Sequence, residues 1–330
     1  MSAMNLENIK RDYLLPQSLQ AKSSTFYLSE ADILPTIRAN KSHRIFPFCV
    51  VKINNAIGVV GLLDLRYSNQ LLPHETCITS KITNLKNSLL ETKKQKNPII
   101  LAHNNHYLIN TYLKNISEKF SANYVLEKQG IFIEIWKNNP YMPQLASVYN
   151  SLTYLHIVDG HHRVKAFDQN TGYLMYYLLA SDQVITKPII RSYFLNCDQV
   201  KEIFNQASKK FFLKRIHEDE YKSFKYKHFI NLRYFDQFYI IKATSNELDI
   251  RNTLQFFYEK GKTPALLHSF SNIKLEESQS REDFGNSLFQ LIIPAFPFSL
   301  VPNVSHLSPL PPHSTWFEPK IPDNVFVYTF

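Results

Sequence analysis

Glycine is scarce in this chain: seven among 330 residues, about 2% where roughly 7% is usual. A loop that cradles phosphate must therefore be built from very few glycines. Neither GxGxxG nor GxxxxGKS occurs, which removes the usual dinucleotide and P-loop readings. Cysteine is scarce as well. Cys49, Cys77 and Cys197 are odd in number and far apart, so reduced thiols fit better than a disulfide framework, and no CxxC zinc pair exists. No apolar run reaches the roughly 18 residues of a membrane span. Residues 1–16 carry Glu7, Lys10, Arg11 and Asp12 where a signal peptide would have an apolar core. The expectation is an uncleaved cytoplasmic chain with no membrane partner. Seventeen prolines break any long heptad run.

What is present is apolar and aromatic. The chain is 44% hydrophobic, with 24 Phe and 19 Tyr, and such a composition requires a packed interior. Thirty-seven basic against 28 acidic residues give +9, a balance that favours phosphates, polyanions or acidic surfaces. The excess falls in two clusters, Lys81, Lys86, Lys93, Lys94 and Lys96, then Lys209, Lys210, Lys214, Arg215, Lys222, Lys225 and Lys227. Each reads as the solvated side of a helical segment.

Residues 1–24 are polar with little periodicity and read as an extension, followed by one domain over 25–330; a sub-domain division, if there is one, falls near 200–215. Residues 46–53 and 56–65 predict two strands joined at Asn54-Asn55. Ile82, Leu85 and Leu89 recur at helical spacing and stop before Asn97-Pro98. Residues 98–102 predict a buried strand, 107–116 a helix, and 124–128 with 131–136 a hairpin turned at Gln129-Gly130. Strands at 154–158, 173–180, 189–195, 235–243 and 288–293 and helices at 198–213 and 247–260 complete the reading, a mixed α/β (α+β) fold.

Asp159-Gly160-His161-His162-Arg163 is the most specific string. It ends a five-residue strand and opens a helix. Gly160 permits positive φ and close ligand approach, the following N–H groups would face an anion, and Arg163 offers a bidentate partner for phosphate oxygens. Asp159 can hold Mg²⁺ through one oxygen and share it with a nucleotide. His74-Glu75 suits acid/base work or metal binding, since imidazole and carboxylate serve both tasks. His103 and His106 lie three apart and read as surface histidines on one helical face. Cys77 reads as a buried small residue.

The stretch Tyr154 to Arg163 resembles the "IADGHHR" hallmark of a bacterial family catalogued as domain of unknown function 1015. Pro73-His74-Glu75 with Thr92 and Asn97-Pro98-Ile99 resembles its "HE…T…SPI" segment, residues 311–320 resemble its "PPKSTYFYPK" ending, and 130–136 its "DG…W" hairpin. More distantly, the family is similar to the ParB and sulfiredoxin superfamily, whose free-serine kinases use a related loop for nucleotide phosphates. The resemblance implies a ParB/sulfiredoxin-like core with Asp159 to Arg163 as the phosphate loop. It implies a nucleoside di- or triphosphate with Mg²⁺ as cofactors and an unknown small molecule as second substrate. Ser314, Thr315 and Lys320 supply hydroxyls and a cation of the kind a phosphate pocket needs. The family's N-terminal "APPYDV"-like segment has no counterpart in 1–24, which implies that part of the substrate pocket is missing. Its cations and polar residues give way to Cys77, Ile82, Asn84-Leu85, Ile190-Arg191 and His313.

Three readings follow. The first is a phosphotransferase in which Asp159 holds Mg²⁺, Gly160, His161, His162 and Arg163 bind phosphates, and His74 or Glu75 moves the proton. The second is a nucleotide-sensing or protein-binding module that has lost the chemistry. Nucleic-acid binding, the third, has only the +9 charge and the distant ParB kinship behind it, since no helix-turn-helix or aromatic RNA motif is legible.

Overall fold

In a computed structural model the chain is described at residues 45–137, 139–167, 172–193, 195–223, 225, 227–242, 247–261, 266–269, 289–302, 309–323 and 325–329. The expected extension at 1–24 lies outside these residues. The chain forms two compact units, one of residues 1–185 with 319–330, the other of residues 186–318. Residues 200–215 fall inside the second unit.

The first unit is built on an eight-stranded mixed sheet in the order β3-β8-β5-β9-β2-β1-β7-β6. Strands β1 (Ile45–Ile53) and β2 (Ala56–Asp64) form the expected hairpin. Asn54 takes φ 52° at its turn, a conformation Asn tolerates better than most residues. The two-residue β3 (Leu71–Leu72) is followed by α1 (Thr79–Thr92), which ends where Lys93 turns left-handed. The short β4 (Lys94–Gln95) leads to β5 (Ile99–His103), buried throughout. Helix α2 (Tyr107–Lys119) then precedes the β6 (Tyr124–Lys128) and β7 (Ile131–Trp136) hairpin. Gln129 and Gly130, both at positive φ, make its two-residue turn. Helix α3 (Met142–Ser151) leads to β8 (Leu155–Asp159), the six-residue α4 (His161–Ala166) and β9 (Tyr173–Ala180).

β9 runs parallel to β5 and antiparallel to β2. Its residues Leu174 to Ala180 are all buried, the continuous apolar run of a strand covered on both faces. The core gathers Val50, Val59, Ile99, Leu101, Trp136, Tyr149, Ile157 and Tyr176. The tail returns to this unit: β18 (Tyr328–Thr329) pairs with β4.

After β10 (Ile185–Thr186) the second unit holds an antiparallel sheet in the order β12-β14-β13-β16-β11-β15. Its strands are β11 (Ile189–Tyr193), β12 (Phe212–Ile216), β13 (Ile230–Tyr234), β14 (Gln237–Lys242), β15 (Leu266–Ser269) and β16 (Phe289–Ile293). Helices α5 (Cys197–Lys210), α6 (Glu218–Lys222) and α7 (Glu247–Gly261) accompany it. Ile190, Ile216, Phe238, Ile240 and Ile292 share one core. The expected helix over 198–213 stops at Lys210. Phe211 is extended there, and Phe212 to Ile216 join the sheet as an edge strand, so tertiary pairing overrides helical spacing. Lys214 and Arg215 are therefore exposed on an edge strand rather than on a helix, where charge blunts unwanted pairing. The strand expected from 235 begins later, because Phe235 has φ 52° in the β13–β14 turn. β17 (Phe317–Glu318) closes the unit. Its ends meet: Lys187 N–H donates to Trp316 O at 2.9 Å, and Lys187 Nζ lies 3.7 Å from Glu318.

Among the described residues, no helix is long and apolar enough to cross a membrane.

Candidate functional site

The site begins where β8 ends. Leu155 to Val158 are buried between β3 and β5, which fixes Asp159 at the strand's rim with its side chain 40% exposed. Gly160 has φ +99°, and a Cβ there would sit 2.7 Å from Ile99 Cγ2. Conformation and space both require glycine at this point. The helix that follows has only six residues, so its dipole is weak support for an anion.

The two histidines of the string point back at the segment before α1. His161 Nε2 accepts the His74 N–H at 3.3 Å, and His162 Nε2 accepts the Ile78 N–H at 2.9 Å. An imidazole that accepts at Nε2 carries its proton at Nδ1. His74 is fully buried, its Nδ1 is 2.9 Å from the Ile157 carbonyl, and its ring meets His161 edge-on at 4.5 Å. Burial, followed by electrostatic coupling to His161, drives His74 well below its ordinary pKa; the Ile157 carbonyl and Asp159 oppose this and lose. It is a neutral imidazole and a weak base. Glu75 Oε1 lies 3.8 Å from His74 Nε2, close enough to interact but without the charge on His74 that would make an ion pair.

Arg163 is a brace. Nη1 donates to the carbonyls of Asn97, at 3.0 Å, and Pro98, while Nη2 donates to Asp159 Oδ2 at 2.8 Å. The sequence-based expectation of a bidentate phosphate partner thus meets a guanidinium already hydrogen-bonded to structure on both terminal nitrogens. For Asp159, desolvation raises the pKa, but Arg163, Lys320, the Gly160 N–H and His74 together outweigh it and hold the carboxyl below its usual value.

Part of the first unit matches a known family. Residues 51–174 match the family described as "Protein of unknown function (DUF1015)". The resemblance carried by His74-Glu75 and by Asp159 to Arg163 is borne out over that stretch. Among solved structures, a conserved hypothetical protein from Pyrococcus furiosus is 15% identical over 79% of this chain and 92% of its own, with a TM-score of 0.48. SbnI with C-terminal truncation from Staphylococcus aureus is 10% identical over 78% and 82%, at 0.46. A free serine kinase in complex with AMP is 15% identical over 78% and 87%, at 0.44. No curated protein matches the sequence.

Outside the DUF1015 match, the tail adds Lys320 to the same unit, within electrostatic reach of Asp159. Asn97 Nδ2 donates to Asp323 Oδ1 at 2.6 Å, and Lys128 Nζ donates to the Asp323 carbonyl. The Asn97-Pro98 pair, a helix breaker in the sequence, is thus the hub joining Arg163 to the tail. Gln95 supports it from below, its amide exchanging hydrogen bonds with both backbone groups of Met175 at 2.7 and 2.9 Å.

Eight of the ten expected site residues, His74, Glu75, Asp159, Gly160, His161, His162, Arg163 and Lys320, lie in the first unit. Ser314 and Thr315 belong to the second. Ser314 is buried, donates to the Pro311 carbonyl at 2.7 Å and accepts from Arg191 Nη2 at 3.3 Å. Arg191, fully buried, also donates to the carbonyls of Pro312 and His313. The Pro-rich turn is held through its backbone, a role that Arg191's place in sequence did not signal.

Two further expectations change. His103 is buried at the end of β5, not on a surface, and His106 is the N-cap residue of α2, so the pair shares no helical face. Cys77 is half-buried; burial and Glu75 raise its thiol pKa against the pull of Lys165. Among the described residues, no group of three or more His, Cys, Asp or Glu is placed to hold a metal ion.

Proposed function

We propose that this chain binds the phosphates of a nucleoside di- or triphosphate at the Asp159–Arg163 loop and transfers phosphate to a small hydroxyl compound. The observation that carries this reading is the Asp159 carboxylate at the rim of β8, held ionised by two cations, Arg163 and Lys320, beside the left-handed turn at Gly160. The local positive charge favours an anion there. A single carboxylate already paired with Arg163 does not hold a divalent ion alone. It would fit Mg²⁺ in the shared form, with Asp159 giving one oxygen and phosphate oxygens and waters the others; an ion held so would neutralise phosphate charge. Glu75, rather than neutral buried His74, is then the better proton acceptor.

A second reading has its own support. With Arg163 bound to two carbonyls and Asp159, and His74 held neutral, the site has few groups left for transition-state charge. This favours a nucleotide sensor without turnover. Calorimetric titration of ATP, ADP and CTP with Mg²⁺ tests both readings. Binding of a nucleotide, weakened in Lys320→Met with the apo melting temperature unchanged, supports the loop assignment; γ-phosphate loss in a panel of small alcohols then separates transferase from sensor. Absence of binding by every nucleotide, together with salt-sensitive affinity for duplex DNA, overturns both.

A further inference from the structure

Helix α1 differs from the other described helices of ten or more residues. None of its side chains is buried, whereas α2 buries Ile109, Leu113 and Ile116, α3 buries Leu145 and Tyr149, and α5 buries Val200, Ile203 and Ala207. Leu89 touches the core, and Leu90 is exposed. The helix packs on α4. Its N-cap position is Ile78, which has no capping side chain, and its first turn has no acidic residue. The acceptor comes from elsewhere: His162 Nε2, on α4, takes the Ile78 N–H. Four residues earlier His161 takes the His74 N–H, anchoring the root of the segment.

We propose that α1 is a lid beside the Asp159–Arg163 loop, hinged at His74 and latched by His162, and that a proton on His162 releases it. A neutral imidazole can accept the Ile78 N–H; an imidazolium has donors at both nitrogens and sets N–H against N–H. With the latch open, α1 is retained only by half-buried contacts, those of Ile82, Leu85 and Leu89 and its packing on α4. The groups facing His162 are Lys81 from α1, which disfavours the proton, and Asp159 from β8, which favours it. Arg163 and Lys165 share its helix, and Glu75 and Cys77 lie on the segment leading into α1. Burial and Lys81 prevail, so His162 sits below its ordinary pKa and the latch is closed at neutral pH. It weakens as the pH falls, toward a pKa that lies below the ordinary histidine value.

This inference does not rest on nucleotide binding, and its test uses the full chain with no ligand. Hydrogen–deuterium exchange, corrected for intrinsic rates, is followed at about pH 7.5 and about pH 5.5. In the wild type, amides of 79–92 lose protection roughly two- to tenfold at the lower pH, while β5 and β9 keep theirs. His162→Gln, whose side-chain oxygen accepts without titrating, stays protected at both. His162→Ala is unprotected at both. Equal wild-type protection at the two pH values overturns the latch, as does a His162→Gln protein that follows the wild-type pH dependence; both comparisons stand even if His162→Ala does not fold.

Discussion

Replacing Gly160 with alanine tests the geometry on which the site rests. An L-residue in the left-handed region costs roughly 1–2 kcal/mol, and Gly160 at φ +99° lies beyond the centre of that region. The added Cβ also meets Ile99 Cγ2 at 2.7 Å, well inside the roughly 3.5–4.0 Å of carbon contact. Overpacking of this kind costs about 1–3 kcal/mol. The sum is about 2–5 kcal/mol, a large share of the stability of a domain. Urea unfolding can report it for the first unit alone, because Trp136 is buried there and Trp316 belongs to the second unit. In a Trp316→Phe background, fluorescence follows Trp136. The steric and conformational parts separate in a cycle with Ile99→Ala: the double variant should recover about 1–3 kcal/mol relative to the sum of the singles, the remainder being the backbone. If Gly160→Ala unfolds within about 0.5 kcal/mol of the wild type, the Asp159–Gly160 turn is not built as described.

Other perturbations address the remaining contacts. Arg163→Met removes charged hydrogen bonds to two carbonyls and Asp159, so urea unfolding should show a loss of about 2–3 kcal/mol, where Lys214→Ala on the exposed edge strand stays within about 0.5 kcal/mol. Equal losses would remove the brace. Lys320→Met should raise the Asp159 pKa toward its ordinary value, because Lys320 is one of the charges lowering it; a carboxyl titration by NMR that is unmoved would place Lys320 away from the loop. For His74 the folded pKa lies below the unfolded one, so its contribution to stability is full above about pH 6.5 and is lost as the pH falls. His74→Asn should flatten the stability profile between about pH 7 and pH 5 by up to about 1.4 kcal/mol per pH unit, and a profile identical to wild type would refute the assignment.

The mixed α/β class and much of the first unit were legible because their signals are local. Asn54-Asn55 and Gln129-Gly130 can adopt the positive φ that two-residue hairpins need, and the apolar runs at 99–103 and 173–180 match strands covered on both faces. The failures come where tertiary pairing decides. Phe212 to Ile216 carries a helix-compatible pattern and becomes an edge strand because β14 is there to receive it; β13 had a signal that went unread, since Ile230, Leu232 and Tyr234 alternate with Asn231 and Arg233. At the site, the loop itself was readable from Asp159 to Arg163. The partners of Arg163 were not, since they are backbone carbonyls 65 and 66 residues away, and a carbonyl has no sequence signature. Likewise, nothing in His161-His162 says that both rings serve as acceptors for main-chain N–H groups.

The return of the tail has a consequence for how distant parts of the chain are coupled. Residues 319–330 complete the first unit only after the chain has passed through an insert of about 130 residues. That insert fastens its own root, Lys187 to Trp316 and Glu318, so when it is folded the tail is tethered as though by a loop of a few residues. Unfolding the insert lengthens the tether to its full contour. By the logarithmic dependence of loop closure on length, that weakens the hold on β18 and Lys320 by about 3 kcal/mol. Destabilising changes in the insert's core, around Ile190 and Ile292 for example, would therefore loosen the tail of the first unit through chain entropy, with no contact required to carry the effect.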